Sequence, residues 1–215
     1  MQENNRTNLM KRFAAAAVLI PIVICAIAFS QLLLQAIIVA VAIGMLLEWY
    51  DMTYHDMVYM VLGVPIVAIP ISCLIIITMI TSEYQYILLT YAGIIWTVDS
   101  VAMFGGKRFG GPKLAPVLSP NKTWSGLACA MIGAAVIALI ISQFPGYVFP
   151  YRGLKLVIFA MIFAVIAQMS DLFISFFKRK FNIKDTGSII PGHGGILDRC
   201  DSLILTAPVM LWIIV

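Results

Sequence analysis

The chain has 215 residues, of which 62% are hydrophobic and 11% charged, with a formal net charge of +4. A water-soluble domain carries about a quarter charged residues, so this chain lacks the polar coat that a soluble enzyme needs, and no nucleic-acid partner is expected. The four cysteines are scattered, each in or beside an apolar run, which excludes a disulfide framework or a paired-cysteine zinc site.

Seven apolar segments follow in chain order, at about 13–29, 31–50, 57–80, 84–104, 124–143, 154–175 and 200–215. Most reach the roughly 20 residues that a helix needs to cross a bilayer core of about 30 Å. The expected fold is all-α, a polytopic transmembrane helical bundle of about seven spans, forming a single membrane domain over 1–215. The first segment follows Lys11 and Arg12. Its Ala26-Ile27-Ala28 has the form of a signal-peptide cleavage site, but an uncleaved first span is the preferred reading. The third segment holds Pro65 and Pro70 and is expected to be kinked or broken, with neighbouring helices satisfying the released backbone groups. The last is short.

Counting cations between the spans sets the orientation. A cytoplasmic N-terminus puts Arg6, Lys11 and Arg12 inside. The same choice puts Lys107, Arg108, Lys113 and Lys122 of the 105–123 loop inside, and also Lys178, Arg179, Lys180, Lys184 and Arg199 of the 176–199 loop. Only Arg152 and Lys155 then lie outside. A segment count off by one would scatter these clusters over both faces.

In that topology Glu48, Asp99 and Asp171 approach the inner ends of the second, fourth and sixth segments, while Asp198 and Asp201 open the seventh. Ionisable side chains at membrane depth are costly and usually functional. Glu48 also fits a solvated helix end, whereas Asp171 sits inside the apolar stretch 163–177. Asp198 and Asp201, at i and i+3, would share a helix face. Two adjacent carboxylates repel unless a cation lies between them, and hard oxygen donors suit Mg²⁺, which in turn holds phosphates. The two basic loops have phosphate-handling character. GGKRFGGPKLAPVLSPNKT combines glycines, prolines and cations, and ends in Ser119-Pro120-Asn121-Lys122-Thr123-Trp124. Glycines let backbone N–H groups approach an anion, and Ser or Thr opening a helix adds donors at its positive end. It is not a Walker A loop. The bland alternative is a positive-inside loop with an interfacial tryptophan. The second loop encloses His193 in Pro191-Gly192-His193-Gly194-Gly195 ahead of Asp198-x-x-Asp201, and His193 fits a structural hydrogen-bonding role equally well.

Ser175-x-x-Lys178-Arg179-x4-Lys184-Asp185, then Pro191-Gly192-His193-Gly194-Gly195-x-x-Asp198-Arg199-x-Asp201, resembles the signature of the phosphatidate cytidylyltransferases. Leu114-Ala115-Pro116, Ser119-Pro120-x-Lys122-Thr123-Trp124-x-Gly126 and Asp99 resemble the family's other motif, and Glu48-Trp49 and Asp171-Leu172 fall where the family places such pairs. The resemblance covers about 95–205, the expected catalytic part. Ser125 stands where the family usually has Glu, Ser170 where Gly commonly precedes the Asp, and Cys200 replaces a commoner aliphatic residue. The chain is also short for the family.

The resemblance implies cytidylyl transfer from CTP to phosphatidate, giving CDP-diacylglycerol and pyrophosphate. It further implies Mg²⁺ as cofactor, the lipid bilayer of the cell's inner membrane as setting, and an active site at the cytoplasmic face. A homodimer is left open. Asp171 and Asp198 are the implied metal ligands, with Asp201 in support. Lys178, Arg179, Lys184 and Arg199 would neutralise phosphates, Asp185 and His193 complete the catalytic set, and Gly194 and Gly195 allow close backbone approach. Ser119, Pro120, Lys122, Thr123 and Trp124 would hold a second phosphate group, with Asp99 either a further ligand or an orienting partner for Lys122. A transporter would instead place acids near the midplane and show repeated halves. A CDP-alcohol phosphotransferase would need a D-G-x-x-A-R run, which this chain lacks.

Overall fold

The computed structural model describes residues 21–22, 24–144, 147–187, 189 and 194–215. Residues 24–29 are helical, but most of the first predicted segment lies outside the described residues, as do Arg6, Lys11, Arg12 and His193.

Among the described residues five helices are long and apolar enough to cross a membrane: α1 (Gln31–Thr53), α2 (Met57–Ile80), α3 (Tyr84–Phe109), α4 (Trp124–Ile141) and α5 (Gly153–Lys180). Three of them, α1, α2 and α4, start with side-chain caps where water or headgroups would otherwise have to satisfy the first N–H groups. Ser30 accepts from Leu33 N, Asp56 from Val58 N and Tyr59 N, and Thr123 from Gly126 N. Helix α2 runs unbroken through Pro65 and Pro70, so the expected break is absent. Packing against α1 and the C-terminal helix supports it on the flank.

Helices α3 and α5 run past their predicted ends at 104 and 175, to Phe109 and Lys180. Their last turns hold Lys107 and Arg108, and Lys178, Arg179 and Lys180. Cations there oppose the negative end of the helix dipole, so a basic run continues the helix that an apolar count alone would stop. Asp99 and Asp171 consequently sit well short of their helix ends. The stretch 105–123, expected as a loop, completes α3 and then forms an antiparallel hairpin of β1 (Lys113–Ala115) and β2 (Ser119–Thr123), pairing Lys113 with Thr123 and Ala115 with Ser119. The final predicted span divides into a single turn, α6 (Leu197–Cys200), and the 12-residue α7 (Leu203–Ile214). At about 1.5 Å per residue α7 is shorter than a bilayer core.

Helix α3 packs chiefly on α4, α4 on α5, α1 on α2, and α2 on α7. The α3–α4 crossing is made of small residues: a Cβ on Gly126 would stand 2.7 Å from the Ala102 carbonyl oxygen, and one on Gly106 2.8 Å from Thr123 Oγ1. Such backbone approach is how apolar helices associate in lipid, where no hydrophobic effect drives them together. Trp49, Phe163, Met45, Ile77 and Ile94 fill the interior, while Leu32, Val61, Met79 and Leu154 face outward.

Candidate active site

A cavity of about 650 Å³ opens where α3 and α5 end and where α4 and α6 begin. Asp99, Asp171, Asp198 and Asp201 all line it. So do Lys107, Lys113, Lys122 and Arg199, together with Ser119 and Thr123 of β2. Residues from four separate stretches of chain thus meet around one polar space.

The acids are held differently. Asp171, on α5, takes the Lys122 ammonium at 2.5 Å from its Oδ2, and Ser175 Oγ donates to its Oδ1 at 3.4 Å. Lys122 Nζ also donates to Gln168 Oε1 at 2.8 Å. Lys122 therefore pairs with Asp171, not with Asp99, whose Oδ2 accepts from Ser202 Oγ at 3.3 Å. Asp198 Oδ1 meets Lys178 Nζ at 2.7 Å, and its Oδ2 accepts Thr186 N at 2.8 Å and Gly195 N at 3.1 Å. Burial opposes the charged form of Asp198, but the Lys178 ammonium and these two N–H groups outweigh it, holding the carboxyl below its ordinary range. Gly194, at φ +85°, makes the turn there, and a Cβ on it would stand 3.2 Å from Asp198 Oδ2.

Asp201 is buried. Its Oδ1 accepts Ser202 N at 2.8 Å, and its carbonyl accepts from Ser170 Oγ, which in turn accepts Leu205 N at 3.0 Å. Ser170 is thus a strut between α5 and the α6–α7 junction, a task glycine could not perform. Asp171 and Asp201 line the same cavity, and carboxyl groups facing one space favour a proton or a cation between them. Among the described residues no three Asp, Glu, His or Cys side chains converge on one point, so the expected Asp171–Asp198–Asp201 trio is not a closed metal cage. An all-carboxylate donor set with few protein ligands fits Mg²⁺, which keeps waters and phosphates in its shell.

Several expected residues lie elsewhere. Arg179 donates from Nε to the Leu118 carbonyl at 3.1 Å and from Nη1 to that of Ile183 at 3.2 Å, which ties the hairpin to the end of α5. Lys184, Asp185, Pro120 and Trp124 are exposed and do not line the cavity. Ser125, in the position of the family's Glu, donates to the Gly110 carbonyl and lies 3.0 Å from Thr123 Oγ1, closing the turn after α3. Gln168 and Glu48 were not among the expected site residues. Gln168 had a signal, a polar side chain one helical turn before Asp171 in an apolar run.

A second, largely apolar cavity of about 280 Å³, walled by Leu34, Ile38, Leu74, Leu88 and Ile95, meets the polar one at Asp99 and Arg199, which line both.

The sequence profile of the Cytidylyltransferase family matches residues 51–215. A phosphatidate cytidylyltransferase of Rickettsia bellii is 46% identical over 217 residues, covering 99% of this chain and 93% of that protein. One from Rickettsia felis is 47% identical over 214 residues, 97% of this chain and 93% of its own length. One from Brucella abortus is 40% identical over 121 residues, 54% of this chain and 42% of that protein. With a matching profile across most of its length and near full-length relatives, the chain belongs to the cytidylyltransferase family.

Proposed function

We propose that this protein is a phosphatidate cytidylyltransferase, transferring the cytidylyl group of CTP to phosphatidate to give CDP-diacylglycerol and pyrophosphate. Its multi-pass helices make it a membrane enzyme. The observation that carries the reading is the junction of the two cavities at Asp99 and Arg199, a basic-and-acidic chamber joined to an apolar one. A soluble triphosphate and an amphiphile need such a pair of compartments.

The phosphatidate monoester has a second pKa of about 6 and is largely dianionic at neutral pH. One of its oxygens bonds to the α-phosphorus of CTP, and the bond from that phosphorus to the bridging oxygen of the β-phosphate breaks, releasing pyrophosphate. No general base is required. The obstacle is bringing two polyanions together, so positioning and fixed positive charge carry the catalysis. Lys107, Lys113 and Lys122, from the α3 end and the hairpin, would bind the triphosphate, and Arg199 at the junction would receive the lipid phosphate. Asp171 and Asp201 would hold Mg²⁺; Asp198, expected as the ligand beside Asp171, would support them, its oxygens being taken by Lys178 Nζ, Thr186 N and Gly195 N. When bound, the ion would screen charge on the leaving pyrophosphate.

In this reading the full chain forms one membrane domain of about seven spans, the last made by α6 and α7 together, with residues 95–205 carrying the chemistry. The N-terminus and the cavity face the cytoplasm of the inner membrane, where CTP is available. Purified protein given labelled CTP and phosphatidate should form CDP-diacylglycerol with Mg²⁺ and stop when EDTA is added; no product under either condition removes the assignment. Cysteines placed at Lys113 and Arg152 should label from opposite faces of inner-membrane vesicles.

A further inference from the structure

Glu48 ends the second apolar segment and touches neither cavity, yet its side chain is only 2% exposed. Among the described residues it has no salt-bridge partner. Burying a carboxylate is costly unless its oxygens are satisfied by hydrogen bonds. Three donors satisfy it: Thr186 Oγ1 at 2.9 Å and Leu197 N at 2.8 Å on Oε2, and Ile196 N at 2.8 Å on Oε1. None comes from α1 itself. All three belong to the two stretches of chain that flank the Pro-Gly-His-Gly-Gly motif.

The neighbouring glycines fit the same contact. A Cβ on Gly187 would stand 2.8 Å from Glu48 Oε1, and one on Gly195 would collide with Oε2. Gly44, one turn earlier on the same face of α1, leaves room for Ile196, whose Cδ1 a Cβ there would strike. Helix α1 therefore presents Gly44 and Glu48 as a dock for residues 195–197. Asp198 grips the same backbone from the other side, through Thr186 N and Gly195 N. The two carboxylates clamp one short piece of chain between them, and only Asp198 lines the cavity.

We infer that Glu48 is a positioning residue for cytidylyl transfer, fixing Thr186 and residues 195–197 so that Asp198 keeps its place at the cavity and its pairing with Lys178. This rests on the proposed activity, so each variant is compared with a parent protein that makes CDP-diacylglycerol; a silent parent fails that reading and leaves nothing to compare. Glu48→Gln keeps the shape but turns an NH₂ donor toward N–H donors. Loss of a group that orients a reacting residue typically costs about 10- to 100-fold, and the fall is expected in kcat, with the phosphatidate KM within about two-fold. The measurement is made below the unfolding midpoint on protein that elutes as the parent does. Thr186→Val removes one donor and leaves the carboxylate in place, so it decides the matter if Glu48→Gln does not fold. Its kcat should fall by roughly three- to ten-fold, the effect of one hydrogen bond of about 1 kcal/mol. Because the two act through one contact, the double variant should lose less than the product of the single losses. Unchanged kcat in Thr186→Val, or a loss confined to KM or to the melting temperature in either variant, overturns the inference.

Discussion

The two lysine–aspartate pairs of the cavity look alike in sequence but are built differently. Lys178 and Asp198 are 10% and 7% exposed, and two backbone N–H groups fix the second carboxylate oxygen. Lys122 and Asp171 are 16% and 26% exposed, and both side chains line the cavity. Besides Asp171, the Lys122 ammonium touches, among the described residues, only the side-chain oxygen of Gln168. A carboxylate locked by backbone donors is scaffold, because moving it breaks several bonds at once. A lysine held by two side chains can exchange one oxygen for another at little cost, as a phosphate-binding group must. The α5–α6 side of the site is therefore stiff and the hairpin side adaptable.

The largest expected effect tests the stiff pair. Asp198→Asn keeps the shape but leaves Lys178 facing an amide and turns an NH₂ toward Thr186 N or Gly195 N. CDP-diacylglycerol formation should fall by at least about 100-fold, and near-normal turnover would remove Asp198 from the site. Lys122→Met comes next. It should cost about 10²-fold or more, the range for losing one electrostatic donor, and a steady-state assay should show much of the loss in the KM for CTP. A loss independent of CTP concentration would contradict an adaptable phosphate ligand. Gln168→Leu should cost less, roughly ten-fold or below, since Lys122 keeps Asp171.

A pH series separates the pairs on stability. The Asp198 carboxyl is held below its ordinary range in the folded chain, so its contribution is complete above the unfolded carboxylate pKa of about 4 and disappears as pH falls through the lower folded value. The melting temperature of Asp198→Asn should therefore converge on that of the parent only below about pH 4. Convergence already near pH 6 would show that Lys178 does not hold the acid.

Parts of this arrangement were legible in the sequence because their cause is local. The apolar runs gave α1 to α5, and Asp171 stood out as an acid inside one. Helices α3 and α5 outrun their apolar segments, because a hydropathy count stops short of the basic run that the helix dipole welcomes there. The hairpin escaped notice because β1 and β2 are short and the glycines around them signal a turn without its pairing. The family resemblance implies Arg179 as a phosphate ligand, and only the fold shows its guanidinium spent on two carbonyls. Glu48 was weighed as a solvated helix end because its partners, Thr186, Ile196 and Leu197, are remote in the chain. No spacing rule connects them.

The close crossing of α3 and α4 has a mechanical meaning. A joint in direct backbone contact transmits motion with little slack: where Gly126 rests against Ala102 and Gly106 against Thr123, a tilt of α3 should carry the head of α4, and with it the neighbouring Lys122. Helix tilt follows the thickness of the surrounding lipid. Membrane thickness thereby gains a handle on the Lys122–Asp171 distance. Turnover of protein reconstituted in lipids of graded chain length should peak at one thickness, and a flat response would mean that the crossing flexes.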